Sequence, residues 1–122
     1  MFNKLFAVCL LVKDLEASMH FYKDILDLEL NSQDNGFADF KMEDTSLAIF
    51  QMDKAVSMFP NSYMKVGGSV VLAFQVDDVE QTCSNLKVKG VNIIEGPKTT
   101  SWGQTVAYFL DPDENIWEVS KR

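Results

Sequence analysis

Glu118 is the residue of this chain best placed to do chemistry. It lies in YFLDPDENIWEV, residues 108–119, where an apolar run reaches Leu110, breaks at Asp111-Pro112-Asp113-Glu114-Asn115, and resumes as Ile116-Trp117-Glu118-Val119. That pattern predicts a hairpin with a carboxylate inside its returning strand. Such a group can ligate a metal, act as a general base, or decorate a surface. Other candidates are few. The one histidine, His20, falls off the apolar stripe of its predicted helix and is expected at the surface rather than on a metal. Cys9 could serve as a nucleophile only beside an activating base, and the sequence offers none. Cys83 fits a helical apolar stripe and is expected in the core. Two cysteines do not make a disulfide framework.

The elements that must position these residues occur twice. Leu11-Val12-Lys13-Asp14-Leu15-Glu16 and Gln75-Val76-Asp77-Asp78-Val79-Glu80 each end an apolar strand, put an aspartate at a helix N-cap, and place a glutamate in the first turn. Gln81, three residues after Asp78, completes a capping box. Leu15, Met19, Tyr22 and Leu26 share one helix face, as do Val79, Cys83 and Leu86. Predicted strands follow each helix: Leu28–Asp34, Phe37–Met42 and Ser46–Met52, then Val91–Glu95, Gln104–Leu110 and Ile116–Ser120, with Asp34-Asn35-Gly36 as a hairpin turn. Both halves read strand, helix, strand, strand, strand, joined by a connection over 53–68 that ends in Gly67-Gly68. Neither half buries both faces of a sheet alone, so residues 1–122 are expected to form a single domain from modules at about 1–52 and 69–122.

The chain has 122 residues, 47% of them hydrophobic and 24% charged, which suits a globular core. Leu5–Val12 is too short to span a bilayer and lacks a signal-peptide cleavage site, so the expected location is the cytoplasm. A net charge of −7 disfavours nucleic acid and anionic membrane and favours a cationic small molecule.

This βαβββ duplication, with VKDLEASMHFYKDIL near its start and DPDENIWEV near its end, resembles the vicinal oxygen chelate superfamily, which includes glyoxalase I, extradiol dioxygenases, fosfomycin-resistance enzymes and bleomycin-resistance proteins. The resemblance implies an α+β fold in which the two modules form a cupped, mostly antiparallel mixed sheet with helices on the outer face. It also implies a homodimer. The family usually has glycine where this chain has Asp27 and Glu114. A side chain there stores roughly 1 kcal/mol of strain, unless Asn115 takes the left-handed conformation instead. Metal-using members draw a histidine from the first strand of each half and a glutamate from the last. Seven residues before Asp14 and Asp78 stand Ala7 and Val71, which offer no lone pair, so no metal and no cofactor is expected. The second glutamate of glyoxalase I would fall near Ile49 or Gln51, where there is no carboxylate.

Alternation puts Leu5, Ala7, Cys9 and Leu11 on one face of the first strand, Ser69, Val71, Ala73 and Gln75 on the fifth, and Ile116, Glu118 and Ser120 on the last, with Trp117 and Val119 toward the helix. The expected ligand cup is thus apolar, with Glu118 on one wall and the amides Gln51 and Gln75 nearby. Phe37, Phe40, Phe50 and Tyr108 supply aromatic surface. Met58, Phe59, Tyr63 and Met64 line either the pocket or a dimer interface, and Trp102 the pocket mouth. The stretch Ala7–Leu11 looks like that of the bleomycin-resistance proteins, the non-enzymatic branch. Three readings follow. The first is a metal-free protein that sequesters a cationic or amphipathic compound, such as an antibiotic. The alternative is a lyase or isomerase with Glu118 as general base. A metal-dependent glyoxalase or dioxygenase needs ligands from positions that do not match.

Overall fold

Two aspartates start the two helices. Asp14 is extended (φ −136°), and its carboxylate accepts from the N–H groups of Glu16 at 3.0 Å and Ala17 at 3.4 Å, opening α1, Leu15–Met19. Asp78 accepts from the Gln81 N–H at 3.0 Å and opens α2, Val79–Val88. Each cap satisfies donors that the first turn leaves without a partner, a contribution of about 1 kcal/mol. The capping box expected at α2 is half made. Gln81 Nε2 donates to Asn85 Oδ1, one turn on, at 2.9 Å, because an i,i+4 amide pair competes for the same side chain.

The computed structural model describes residues 2–55, 58 and 60–121, apart from the side chain of Asn61. Its strands are β1 (Val8–Val12), β2 (Leu30–Asp34), β3 (Phe37–Lys41), β4 (Ser46–Gln51), β5 (Val71–Gln75), β6 (Ile93–Thr99), β7 (Thr105–Leu110) and β8 (Ile116–Lys121). They form two four-stranded mixed sheets, ordered β1-β4-β3-β2 and β5-β8-β7-β6. In each the first and last strands pair in parallel and the other neighbours antiparallel. The architecture is α+β, and the chain divides at Gly67–Gly68 into two compact units, one sheet in each.

In the first unit the helix side of the sheet carries Leu10, Val12, Ala38, Phe40, Leu47 and Ile49, all buried. Phe40 and Tyr22 meet with ring centroids 6.1 Å apart. After Met19 the helix widens into a π-helical segment, His20–Ile25, closed by the Leu26 N–H on the Phe21 carbonyl at 2.9 Å. The extra residue in the turn rotates the buried face. Ser18, Phe21 and Tyr22 are therefore the buried positions, while Leu15, Met19 and Leu26, expected on the same stripe as Tyr22, are half-buried. In the second unit Val79, Cys83 and Leu86 of α2 are buried, as are Ala107, Phe109, Trp117 and Val119 of the sheet. Phe74 stacks on Trp117 at 4.5 Å and 8°. Each such large apolar side chain contributes roughly 1.5–3 kcal/mol by leaving water.

Several strand boundaries differ from expectation: β2 starts at Leu30 rather than Leu28, β5 at Val71 rather than Ser69, and β6 at Ile93 rather than Val91. Pairing in β1 starts with Val8 opposite Leu47, beside the first residue of β4, so Leu5 lies outside the strand and is 64% exposed. Strand β6 runs past Glu95 to Thr99, with one register shift between Ile93 and Glu95 and a second between Glu95 and Lys98, across Gly96-Pro97. A Cβ on Gly96 would stand 2.6 Å from the Val106 carbonyl oxygen, so only glycine permits the approach of β6 to β7 there.

The turns follow their residues. Asn35 (φ 42°) and Gly36 (φ 87°) give the β2–β3 hairpin the left-handed pair its two-residue loop requires. Asp27 (φ 59°) and Glu114 (φ 64°) take left-handed conformations themselves, so Glu114 rather than Asn115 carries the strain. Around Glu114 the turn is cross-braced. The buried carboxylate of Asp111 accepts from Asp113 N–H at 2.9 Å, Asn115 N–H at 2.8 Å and Asn115 Nδ2 at 2.8 Å.

Asp27→Gly and Glu114→Gly should each stabilise the fold by up to about 1 kcal/mol and so raise the urea midpoint, because relief of left-handed strain exceeds the added unfolded-state entropy. A lower midpoint in both would remove the strain argument. Asp111→Ala should cost about 2–3 kcal/mol in the same melts, since it leaves the donors of buried Asn115 without an acceptor; a loss below about 0.5 kcal/mol, the level of an ordinary surface change, would show that the brace is unimportant.

Candidate functional site

Strand pairing decides what stands beside Glu118. On one side it is level with Ala73 of β5, on the other with Tyr108 of β7, and Tyr108 is in turn level with Glu95 of β6. Directly paired residues point to the same side of a sheet, so Ala73, Glu118, Tyr108 and Glu95 form one rung on the side away from α2. Hydrogen bonding to Glu118, then burial, then the negative charges of Glu118 and Glu95 hold the Tyr108 phenol's pKa above its ordinary value. The flanking rungs carry Val71 with Ile116 and Leu110, and Gln75 with Ser120 and Val106. Val71 is 58% exposed, and Ala73 and Gln75 are also open.

The corresponding rung of the first unit runs Cys9, Ala48, Asp39, Ser32. Ala48 is level with Cys9 as Glu118 is level with Ala73, so the counterpart of Glu118 is Ala48, not Ile49 or Gln51. The carboxylate of this unit is one strand over, on Asp39. It accepts from Ser32 Oγ at 2.5 Å, Asn31 Nδ2 at 3.2 Å and Ser46 Oγ at 3.4 Å. The Ser32 bond above all holds its pKa below the usual carboxylate value. The next rung is aromatic: Leu11 is level with Phe50, and Phe50 with Phe37, whose ring it meets edge-on at 5.6 Å.

Several expected site residues stand elsewhere. Gln51 alternates with buried Leu47 and Ile49, on the helix side. Its Oε1 accepts from the Leu15 N–H at 3.0 Å and its Nε2 donates to Asp53 at 2.9 Å, so the amide is spent on the start of α1. Phe40 likewise faces the helix and is fully buried. Trp102 is 74% exposed, donates its indole N–H to Gln104 Oε1 at 3.0 Å, and lines a shallow depression with Gly103, Gln104 and Lys121. Lys121 alternates with Trp117 and Val119, and a neighbouring depression joins it to Asp77, Asp78, Val79 and Glu80 at the start of α2. Trp102 therefore borders the helix side of the sheet, not the Glu118 face. Ala7 lies immediately before β1, and Cys9, on the expected face, is exposed and carries a thiol whose pKa desolvation raises. His20 is exposed and meets Asp24 at 3.1 Å. In the connection, Met58 and Tyr63 are exposed, Met64 is half-buried, and Phe59 lies outside the described residues.

The residues present do not fit the family's metal. Positions 7 and 71 hold Ala and Val, the counterpart of Glu118 is Ala48, and among the described residues no three His, Cys, Asp or Glu side chains converge on a point. Sequence reasoning missed Asp39 and Glu95. Asp39 was within reach, being a carboxylate in mid-strand like Glu118. Glu95 comes level with Tyr108 only through the register shifts of β6.

The family model for the Glyoxalase/Bleomycin resistance protein/Dioxygenase superfamily matches residues 4–119, and the chain belongs to that superfamily. It is 31% identical over 125 residues to the uncharacterised protein YraH of Bacillus subtilis (strain 168), covering 97% of this chain and 98% of that one. It is 32% identical over 116 residues to the metallothiol transferase FosB of Staphylococcus epidermidis (strain ATCC 12228 / FDA PCI 1200), covering 92% of this chain and 77% of that protein. Among solved structures, TnmS3, an antibiotic-binding protein from Streptomyces sp. CB03234, matches with a TM-score of 0.79 and 29% identity, over 98% of this chain and 96% of that one.

The raised pKa of Tyr108 has a sign that can be checked. The native state keeps the phenol proton to higher pH than the unfolded chain does, so this stabilisation is complete below pH about 10 and is lost as pH rises through the folded value. The melting temperature of the wild type should therefore fall more steeply than that of Tyr108→Phe above pH about 10. Parallel curves would show that the Glu118 bond is not made.

Proposed function

We propose that the chain is a small-molecule-binding protein of the glyoxalase/bleomycin-resistance type, which sequesters a cationic or amphipathic compound such as an antibiotic without a resident metal or other cofactor. The observation that carries this reading is the makeup of the β5–β8 face. Open apolar side chains, Val71 and Ala73, stand beside carboxylates at Glu118 and Glu95, in a chain with no donor at position 7 or 71. Apolar burial supplies affinity and the carboxylates select charge. The net charge of −7 attracts cations at longer range. The likeness to antibiotic-binding TnmS3 supports the same reading. We place the protein in the cytoplasm as a homodimer, with exposed Leu5 and Phe6 as apolar surface for a second copy. Light scattering checks that part, and a monomer at micromolar concentration removes it.

The alternative, Glu118 as general base of a lyase or isomerase, meets an obstacle. The Tyr108 phenol stands level with that carboxylate on the neighbouring strand and competes with a substrate for it. A glyoxalase-type or dioxygenase-type metal reaction lacks its histidines altogether.

The test is a melt of chelator-treated protein with and without bleomycin, followed by a panel of cationic and amphipathic compounds. A ligand at about 100 times its Kd stabilises the native state by roughly 2.7 kcal/mol and should raise the melting temperature by a few degrees. Failure of every compound to shift the melt at micromolar concentration would sink the sequestration reading. Turnover of a carbonyl compound that Glu118→Gln abolishes would replace it with the general-base reading.

A further inference from the structure

The tip of the β2–β3 hairpin is a point of chemical lability as well as a turn. Of the chain's asparagines, Asn35 alone precedes a glycine. We infer that Asn35-Gly36 is a latent self-modification site, open to deamidation, and that the segment 51–54 guards it by holding the turn in a conformation from which the reaction cannot start.

The reaction needs no partner but water. The Gly36 backbone nitrogen gives up its proton and attacks Cγ of Asn35. The bond from Cγ to the side-chain nitrogen breaks, ammonia leaves, and a five-membered succinimide closes. Water then opens the ring. Cleavage at Cγ gives aspartate. Cleavage at the main-chain carbonyl gives isoaspartate, whose backbone runs through Cβ and is one atom longer. Glycine favours the attack because it has no side chain to crowd the nitrogen. Asn35 is exposed, so water reaches it.

The ring closes only when the Gly36 nitrogen eclipses the Asn35 Cβ across the Cα–C bond, and the native turn forbids that. The φ values of 42° at Asn35 and 87° at Gly36 are those of a type I′ loop between the paired residues Asp34 and Phe37. Such a loop sets ψ of its first residue near about +30°. There the nitrogen stands almost opposite Cβ, and attack requires the peptide to swing through most of a half turn. Two contacts resist the swing. The Gly36 carbonyl accepts from the Gln51 N–H at 2.8 Å. The Lys54 stem lies against the turn, so close that a Cβ on Gly36 would stand 2.6 Å from Lys54 Cγ and 2.9 Å from Lys54 Cβ. The same crowding means that no bulkier, less reactive residue can replace Gly36. The guard is itself anchored, because Gln51 Oε1 accepts from the Leu15 N–H at the start of α1. Once isoaspartate forms, the change is permanent. A loop one atom longer no longer holds Asp34 level with Phe37, whose ring meets Phe50.

The experiment is incubation in mildly alkaline buffer, of the native protein and of the chain unfolded in urea, followed by mass spectrometry of tryptic peptide 24–41. Enzymatic methylation of the free carboxylate identifies isoaspartate. Asn31, which precedes a serine in the same peptide, is the internal reference. In urea, Asn35 should deamidate faster than Asn31. In the native protein, Asn35 should react at least about tenfold more slowly than in urea, because each event waits on a local opening. Lys54→Gly, confirmed as folded by its melt, should react at Asn35 about three- to tenfold faster than the native wild type. Native and urea rates within about twofold of each other overturn the inference, as does a folded Lys54→Gly variant with the wild-type rate. If that variant does not fold, the native-to-urea ratio of the wild type alone decides.

Discussion

Within each unit, the parallel pairing of the first strand with the last is the constraint on which the rest depends. A helix leaves β1, two strands return, and β4 closes beside β1 in the same direction, just as β8 closes beside β5. Parallel neighbours cannot be joined by a tight turn, so the helix and the intervening hairpin have to make the crossing. Once the last strand is seated, alternation assigns every side chain in the sheet to the helix side or the opposite side. Trp117 and Val119 go one way and Glu118 the other. A one-residue error in that seating would drive a carboxylate against α2, at a cost of several kcal/mol. The apolar core and the chemistry of the open face are thus fixed by the same event.

The two units use one plan for different ends. In the first, the carboxylate sits on the third strand, at Asp39, with hydroxyl and amide donors from Ser32, Asn31 and Ser46, and the next rung is filled by Phe37 and Phe50. Asp39 is spent on its own neighbours. In the second, Glu118 stands between Tyr108 on one strand and the methyl group of Ala73 on the other. The duplicated backbone supplies equivalent positions, and side-chain chemistry decides which of them stays available to a ligand.

Much of this is legible in the sequence. The N-cap aspartates, the Asn35-Gly36 turn and the alternation around Glu118 are local signals, each set by a few residues whose preferences agree with the fold. The departures come where a distant partner decides. Gln51 reads as a pocket amide until Leu15 claims its oxygen. Phe40 reads as a rim aromatic until strand parity turns it toward Tyr22. Leu15, Met19 and Leu26 fit a regular helical stripe, and one π-helical segment rotates the face away from them. Glu95 is invisible because its level depends on register shifts on either side of it, which no periodicity in the sequence encodes.

The braced turn at 111–115 does more than reverse the chain. Three donors on one buried carboxylate fix how many residues separate Leu110 from Ile116, and that count sets the phase of everything after it. The turn works as an indexing pin. It decides which of two faces receives the acidic group, several residues away. The polarity of the open surface is in this sense written in the loop, and a loop one residue longer would spell the opposite surface from the same strand.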